Sequence, residues 1–592
     1  MIHMIHGTHT IHAIRSRRAA AVALLATLST GALAETSAPA PLTARGVVFA
    51  DHNADLTRQP DEPGLPGVAV SNGLDVVLTD HRGAYEIPID PHDATIFVIK
   101  PRDFAAPTDA ANLPRFYYTH KPEGSPDEGF HFKGVAPTGD LPRSIDFPLI
   151  PAPESDRFAV LVFADPQPYT LEQIAFFRRE VVDPVIGRHD IAFGMSLGDL
   201  VGDQLELFTP LIEAKALFGV PWRNVYGNHD MNAMSGSTSA TSADPDRYAD
   251  ETFERVFGPP TYAFQHAKVH FIILDNVIWQ GFDGFRERTP DNWPAPQMPD
   301  VSNYRGGLRP EQITFIENYL RHVPTDHLVV LAFHIPIEGG GRHRIPEQDE
   351  LFRVLSTHPN TFSLSGHTHV QRHWFFGAEH GYAPSRPGPL NAVDPARFAA
   401  PVHHHLNAAT ASGSWYNGWR DEEGLPHTTM RCGAPNGYTL VHFDGARYRT
   451  EFKPARRPES HQMTIDAPDA VDPREHDELR VLANVFHGAE GDPVAARIVP
   501  AAGAAPKDWI ELTFDPQIDP LYQAAREREQ RLPEELVENW GLPAPLDSPH
   551  IWTGAVPLRD LPPGTHVLEI RHRDLYGHER VARRTFRILD AR

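Results

Sequence analysis

Between Arg157 and about Gln371, short apolar runs alternate with longer amphipathic segments. The runs "FAVLVFAD", "IAFGMSLGD", "RNVYGNHD", "VHFIILDN", "HLVVLAFH" and "TFSLSGH" are blocks of strand length with little polar interruption. That is the pattern of strands covered on both faces. Between them Leu171–Ile186, Leu205–Phe218 and Pro310–Arg321 read as helices, the last opened by a proline at its first turn. The alternation predicts a layered α/β domain over 157–400.

The flanks follow a different rhythm. Over 43–150 short β-like runs such as "RGVVFAD", "DVVLTD" and "ATIFVIK" sit between turns and predict a small β-sandwich, with "IPAPESD" as the linker behind it. From 401 to 592 runs such as "GYTLVHFDG", "THVLEIRHRD" and "VARRTFRIL" predict a second mainly-β domain, interrupted by the helical stretch "PLYQAAREREQRLPEELVENW". A chain of 592 residues is too long for one core, which agrees with several domains.

Polar residues recur where the central strands end. They are Asp165 and Gln167, Asp199, Asn228, His334, and His367 with His369. In open α/β folds the loops leaving strand ends converge on one crevice. Cys432 is the single cysteine, so neither a thiolate cluster nor an internal disulfide is available. Oxygen and imidazole donors in this number suit two divalent cations, held roughly 3.5–4 Å apart by a bridging carboxylate.

In order along the chain the motifs are Asp-x-Gln, Gly-Asp, Gly-Asn-His-Asp, a lone His and Gly-His-x-His. This pattern resembles the calcineurin-like metallophosphoesterases, in the multidomain branch with β-domains at both ends. The resemblance implies a four-layer αββα core and hydrolysis of phosphoric esters. It also implies that Asp165, Gln167, bridging Asp199 and His369 hold one metal, while Asp199, Asn228, His334 and His367 hold the other. His229 matches the residue that stabilises the phosphoryl group or protonates the leaving oxygen. Gln167 stands where most relatives carry His, which leaves Mn, Fe and Zn all open. The Asp that orients the catalytic His lies three residues after the bridging one in many relatives. Here that place is Gly202, and Asp203, which follows, is the candidate to reach His229 in that role.

Charge and composition narrow the partners. A net charge of −23 argues against wrapping a nucleic-acid backbone or an anionic membrane surface. Two divalent ions against Asp165 and Asp199 would nevertheless leave a local cationic pocket, suited to a phosphate dianion. Arg15, Arg17 and Arg18 precede "AAAVALLATLSTGALA", and Ala32-Leu33-Ala34 is a small-x-small cleavage site, so residues 1–34 read as a signal peptide. Export to the periplasm or outside is expected, and the twin arginine of "SRRA" leaves the folded-export route open. The spaced His3, His6, His9 and His12 fall in that leader and receive no role.

Several features stay open at this level. Asp51, Asn53, Asp55 and Glu62 have calcium-loop spacing, but Leu56 replaces the usual glycine, so a calcium site competes with a polar turn. The first module also resembles adhesin B-type repeats. Arg342 or Arg344 in "IEGGGRHR" are candidate phosphate clamps. Trp415, Tyr416, Trp419 and Asp421 either wall the crevice or stabilise a domain interface. His403–His405 either face the site or sit exposed, whereas His266, His270, His322 and His358 read as structural or surface residues. Met231–Asp250 and Trp279–Tyr304 read as insertions beside the site. The expected function is therefore phosphomonoester hydrolysis. A diesterase acting on envelope or nucleotide diesters is the first alternative, and a binding protein with an inactive metallo-domain the second.

Overall fold

The computed structural model describes residues 42–126, 130–232, 245–281, 303–384, 400–500, 505–538 and 541–590. The leader with its twin arginine and spaced histidines lies outside the described residues, as do most of the two insertions beside the site.

The described chain is mixed α/β, rich in sheet and sparing in helix. In the central region β1 (Arg157–Phe163), β2 (Ile191–Leu197) and β3 (Trp222–Val225) run parallel. Between them lie α1 (Leu171–Phe177) and α2 (Phe208–Ala216). Thr170 caps α1 by accepting the Gln173 N–H. The helix is shorter than its apolar period predicts, because the backbone widens to a π turn over Arg178–Val182.

Next come α3 (Glu251–Phe257), β4 (Tyr262–His266), β5 (Val269–Ile273), α4 (Pro310–Leu320), β6 (Leu328–Ala332), α5 (Gln348–Leu355), β7 (Thr361–Ser365), β8 (Arg372–Phe376) and β9 (His403–Asn407). They form a six-stranded sheet in the order β4-β5-β6-β7-β9-β8, parallel from β5 to β9. The other sheet is completed from far downstream. β10 (Gly437–Asp444) pairs antiparallel with β1, and β11 (Arg447–Pro454) closes the edge, for an order of β3-β2-β1-β10-β11.

The central sheets therefore continue to Pro454, past the expected boundary at 400. The run "GYTLVHFDG", which reads as part of the C-terminal domain, lies beside β1 instead. Strand pattern states that a segment is half-buried, not which sheet edge accepts it. Beyond Met463, sheets of four and five strands close around their own apolar cluster, including Val481, Trp552, Leu568 and Phe586.

Alternation along β1 divides the core. Val160 and Val162 join Met195, Phe271 and Val330 in one apolar cluster between the two central sheets. Leu161 and Phe163 point the other way, into a second cluster with Phe177, Phe208 and Leu211 of the helical segments. Because β1 and β2 are buried on both faces, the polar residues that follow them are held on rigid strand ends.

The N-terminal residues form two four-stranded sheets. Phe97 meets Phe315 of α4 edge-on at 5.9 Å, and Lys121 reaches α3, with its Nζ 2.5 Å from Glu251, 2.9 Å from Glu254 and 3.1 Å from Asp93. Lys121 and Glu251 are buried. A Lys121→Met variant leaves these carboxylates without their cation and is expected to lose about 3–5 kcal/mol of stability, read from urea unfolding.

The acidic loop of this region closes on itself. Asp51 accepts the Ala54 and Leu56 N–H groups at 2.7 and 3.0 Å, Glu62 those of His52 and Gln59 at 3.0 Å, and Asp55 that of Thr57 at 2.9 Å. The oxygens with calcium-loop spacing thus satisfy backbone amides of a turn.

Candidate metal centre

Each motif leaves a strand or short run with no room to turn gradually. Asp165, Gln167, Asp199, Asp203, His367 and His369 all hold positive φ, between 41° and 76°. Such backbone costs of order 1–3 kcal/mol per residue and persists only where the surroundings impose it. Gly198, at φ +85°, precedes Asp199 because a Cβ there would lie 2.5 Å from His334 Nδ1. Nothing in the apolar pattern announces this strain, and it gathers where the motifs do.

The structure brings all seven expected ligands together. Asp165, Gln167, Asp199, Asn228, His334 and His369 are buried, and His367 is half-buried. In one half of the site His369 Nδ1 donates to the Gly413 carbonyl at 2.5 Å. Its Nε2 therefore carries a bare lone pair, yet it faces Gln167 Oε1 at 3.0 Å and Asp165 Oδ1 at 3.6 Å. The Gln167 amide nitrogen is turned away, onto the Tyr169 hydroxyl at 3.1 Å.

The other half repeats the arrangement. His334 Nδ1 donates to the Leu197 carbonyl at 2.8 Å. Its Nε2 faces Asn228 Oδ1 at 3.0 Å, Asp199 Oδ1 at 3.2 Å and His367 Nδ1 at 3.1 Å. Ligand atoms of Asp199, His334 and His367 lie within 4.8 Å of one another. Acceptors aimed at acceptors repel unless a cation or proton sits among them. The donor set, imidazole with carboxylate and amide oxygen, fits borderline divalent ions.

Without a cation, a proton takes its place at His334. Burial opposes a charge on His334, but Asp199 and Asp165 outweigh it and raise the imidazole to about 9. Burial would also raise Asp199, yet His334 and His229 hold it well below the usual carboxylate range. Asp165 is pushed up by burial to about 7, while burial lowers His369 to about 4 and leaves it a neutral donor of its lone pair.

His229, half-buried, lies beside this centre. Its N–H donates to Asp199 Oδ1 at 2.9 Å, and its ring Nδ1 is 2.7 Å from Asp203 Oδ1. Burial opposes protonation, but Asp203 and Asp199 raise the ring to about 9.

Family comparisons match both ends of the chain. Residues 53–136 match the N-terminal region of calcineurin-like phosphoesterases, and 405–579 match their C-terminal region. The chain is a calcineurin-like metallophosphoesterase. As such it is a metal-dependent hydrolase of phosphoric esters. Curated protein sequences provide no match. Among solved structures it is similar to purple acid phosphatase PPD1 from yellow lupin (Lupinus luteus) seeds, at 11% identity and TM-score 0.32. That likeness covers 70% of this chain and 67% of the lupin chain.

Other residues of this metallophosphoesterase were not legible beforehand. His343, in the loop expected to supply an arginine clamp, places Nδ1 2.7 Å from His367 Nε2. Arg342 instead lies over the Tyr304 ring at 5.0 Å, and Arg344 is exposed. Asn276 accepts the His334 and Ile335 N–H groups at 3.1 and 3.0 Å, pinning the lone histidine. Asp230 accepts the Leu200 and Gly227 N–H groups at 2.8 and 2.9 Å, joining two motif loops. Asp230 closes the Gly-Asn-His-Asp motif, whereas His343 and Asn276 stand outside every motif, so only folding relates those two to the site.

The reading of His403–His405 as site-facing or exposed is corrected. All three are buried on β9: His403 and His405 bond Ser363 of β7 at 2.7 Å each, and His404 bonds the Tyr448 hydroxyl at 2.8 Å. They bridge the sheet interior at little cost, because each finds hydroxyl partners. Trp415 stacks on His369 at 4.1 Å, whereas Trp419 stacks on His427 at 4.1 Å and Asp421 pairs with Arg456, both away from the ligands.

Proposed function

We propose that the protein is an exported phosphomonoesterase using two divalent ions in a four-layer αββα core, with a β-sandwich at each end. The leader's basic, apolar and small-residue sequence supports export. The observation that carries the reading is the convergence of an imidazole Nε2 and oxygen ligands on each of two sides of Asp199, each ring being held by its Nδ1 on a backbone carbonyl. Asp165, Gln167 and His369 would hold one ion, Asn228, His334 and His367 the other, with Asp199 between. Mn, Fe and Zn all suit these donors.

Bound there, the ions would polarise the phosphoryl oxygens and lower the pKa of an attacking water. The chain's own residues do the rest. Asp203 fixes the His229 tautomer with the proton on Nδ1, so in the imidazolium Nε2 presents a second proton to the leaving oxygen. Asn276 and Gly413 hold His334 and His369 in place, which keeps the donor geometry unchanged as substrate enters. A cationic site favours the dianionic monoester over a monoanionic diester.

The test is turnover of nitrophenyl phosphate against its bis-ester after manganese loading. Faster monoester hydrolysis supports the proposal, and faster bis-ester hydrolysis replaces it with a diesterase. Hydrolysis of neither, with Asp199→Asn indistinguishable from the parent, would leave a binding module.

A further inference from the structure

The segment Thr410–Tyr416 lies far downstream of the motifs, but it touches both loops of the Gln167-containing half of the centre. Ala164 and Thr410 form a β-bridge, Ala411 N–H donates to the Ala164 carbonyl at 2.8 Å, and Ser412 N–H donates to the Asp165 carbonyl at 3.3 Å. The Tyr416 hydroxyl donates to the Pro166 carbonyl, between Asp165 and Gln167, at 2.6 Å. On the opposite side Gly413 takes the His369 Nδ1 proton at 2.5 Å, and the Trp415 indole lies on the His369 ring at 4.1 Å and 26°.

The conformation is costly to maintain. Trp415 and Tyr416 are adjacent, neither is glycine, and both are left-handed, at φ +58° and +55°. Each such residue costs about 1–2 kcal/mol. Gly413, at φ +57°, admits no side chain, because a Cβ would lie 1.7 Å from the Thr428 carbonyl oxygen. Strain of this kind survives where neighbouring contacts impose it, and it gathers at functional positions. The His334 half has its own support in Asn276 and the Leu197 carbonyl, which the segment does not supply.

We infer that Thr410–Tyr416 is a clamp for one metal position, with Trp415 and Tyr416 as positioning residues that assemble Asp165, Gln167 and His369 into a single ligand set. The inference rests on the two-ion reading given above. The stack fixes the His369 ring plane, the Gly413 carbonyl fixes its tautomer, and the Tyr416 hydroxyl fixes the Asp-Pro-Gln turn facing it. Loss of Trp415 frees the ring to rotate about its single remaining hydrogen bond. The ion bound by Gln167 and His369 then weakens, while the one bound by Asn228 and His334 does not. Residues that support a ligand in this way are worth about 10–100-fold in metal affinity.

The experiment is manganese titration of the metal-free full chain, followed by elemental analysis and electron paramagnetic resonance, with unfolding temperature recorded in parallel. The parent should bind two ions and give the spectrum of a spin-coupled pair. Trp415→Ala should keep one ion at parental affinity, lose roughly 10–100-fold for the other and show an isolated ion's spectrum. Trp415→Phe, which retains a stacking ring, should restore the second ion, and Tyr416→Phe should weaken the same ion. Two ions bound by Trp415→Ala as tightly as by the parent overturn the clamp, as does equal weakening of both. A parent that binds only one ion overturns the two-ion reading itself, and the clamp with it.

Discussion

An Asp199→Asn enzyme is expected to lose most of its hydrolysis of nitrophenyl phosphate, with kcat/KM falling by about 10²–10³-fold. Asp199 is the buried carboxylate on which the site converges: its Oδ1 lies 3.2 Å from His334 Nε2 and accepts the His229 N–H at 2.9 Å. Asparagine keeps the shape and one oxygen but removes the negative charge. Removing one charge-stabilising group from a buried site of this kind costs about 10²–10³ in rate. The change also removes the principal influence raising the His334 imidazole. Elemental analysis of the same preparation should show reduced metal content. Activity within tenfold of the parent at full metal content would sink the role given to Asp199.

His229 governs the second large effect, and its sign follows from its partners. Its pKa in the folded protein is raised from 6.5 to about 9, against the pull of burial, by Asp203 and then Asp199. The ring therefore keeps its extra proton through neutral pH and loses it as pH rises through about 9. The imidazolium's contribution to stability is fully present below 6.5 and disappears over the same rise. As proton donor to the leaving oxygen, His229 should give the rate profile a basic limb, lying below about 9 once divalent ions on Asp199 oppose the imidazolium.

His229→Gln is expected to lower kcat by about 10²–10⁴ on alkyl phosphates. The loss should be smaller on nitrophenyl phosphate, whose leaving group needs less protonation. Asp203→Asn removes the first of the charges raising the ring and should move the basic limb towards neutral pH. Rates measured from pH 5 to 10 on both esters separate these outcomes. A basic limb unmoved in Asp203→Asn would show that the 2.7 Å contact does not set the proton's affinity.

A good part of the site was readable before folding. Asp165, Gln167, Asp199, Asn228, His334, His367 and His369 follow apolar runs, and consecutive buried strands bring their ends to one edge. Apolar period also marked α2 and α4 within a few residues. It did not mark α3 or α5, nor the π turn that ends α1. That β10 and β11 join the central sheet was not readable, because the apolar run of β10 and the alternation of β11 mark strands without naming the partner beside which they lie.

Sequence by itself determined six of the central strands and three of the helices in their order, the polar residues at the strand ends and the absence of a thiolate ligand. These are properties of local period and residue type. Tertiary structure alone decided the left-handed backbone at six of the candidate site residues, the contact of His343 with His367 and the place of Thr410–Tyr416 against both Asp165 and His369. Each depends on groups distant along the chain meeting in a dry interior. There, unsatisfied lone pairs and strained turns are tolerated only because the packed neighbours leave them no other arrangement.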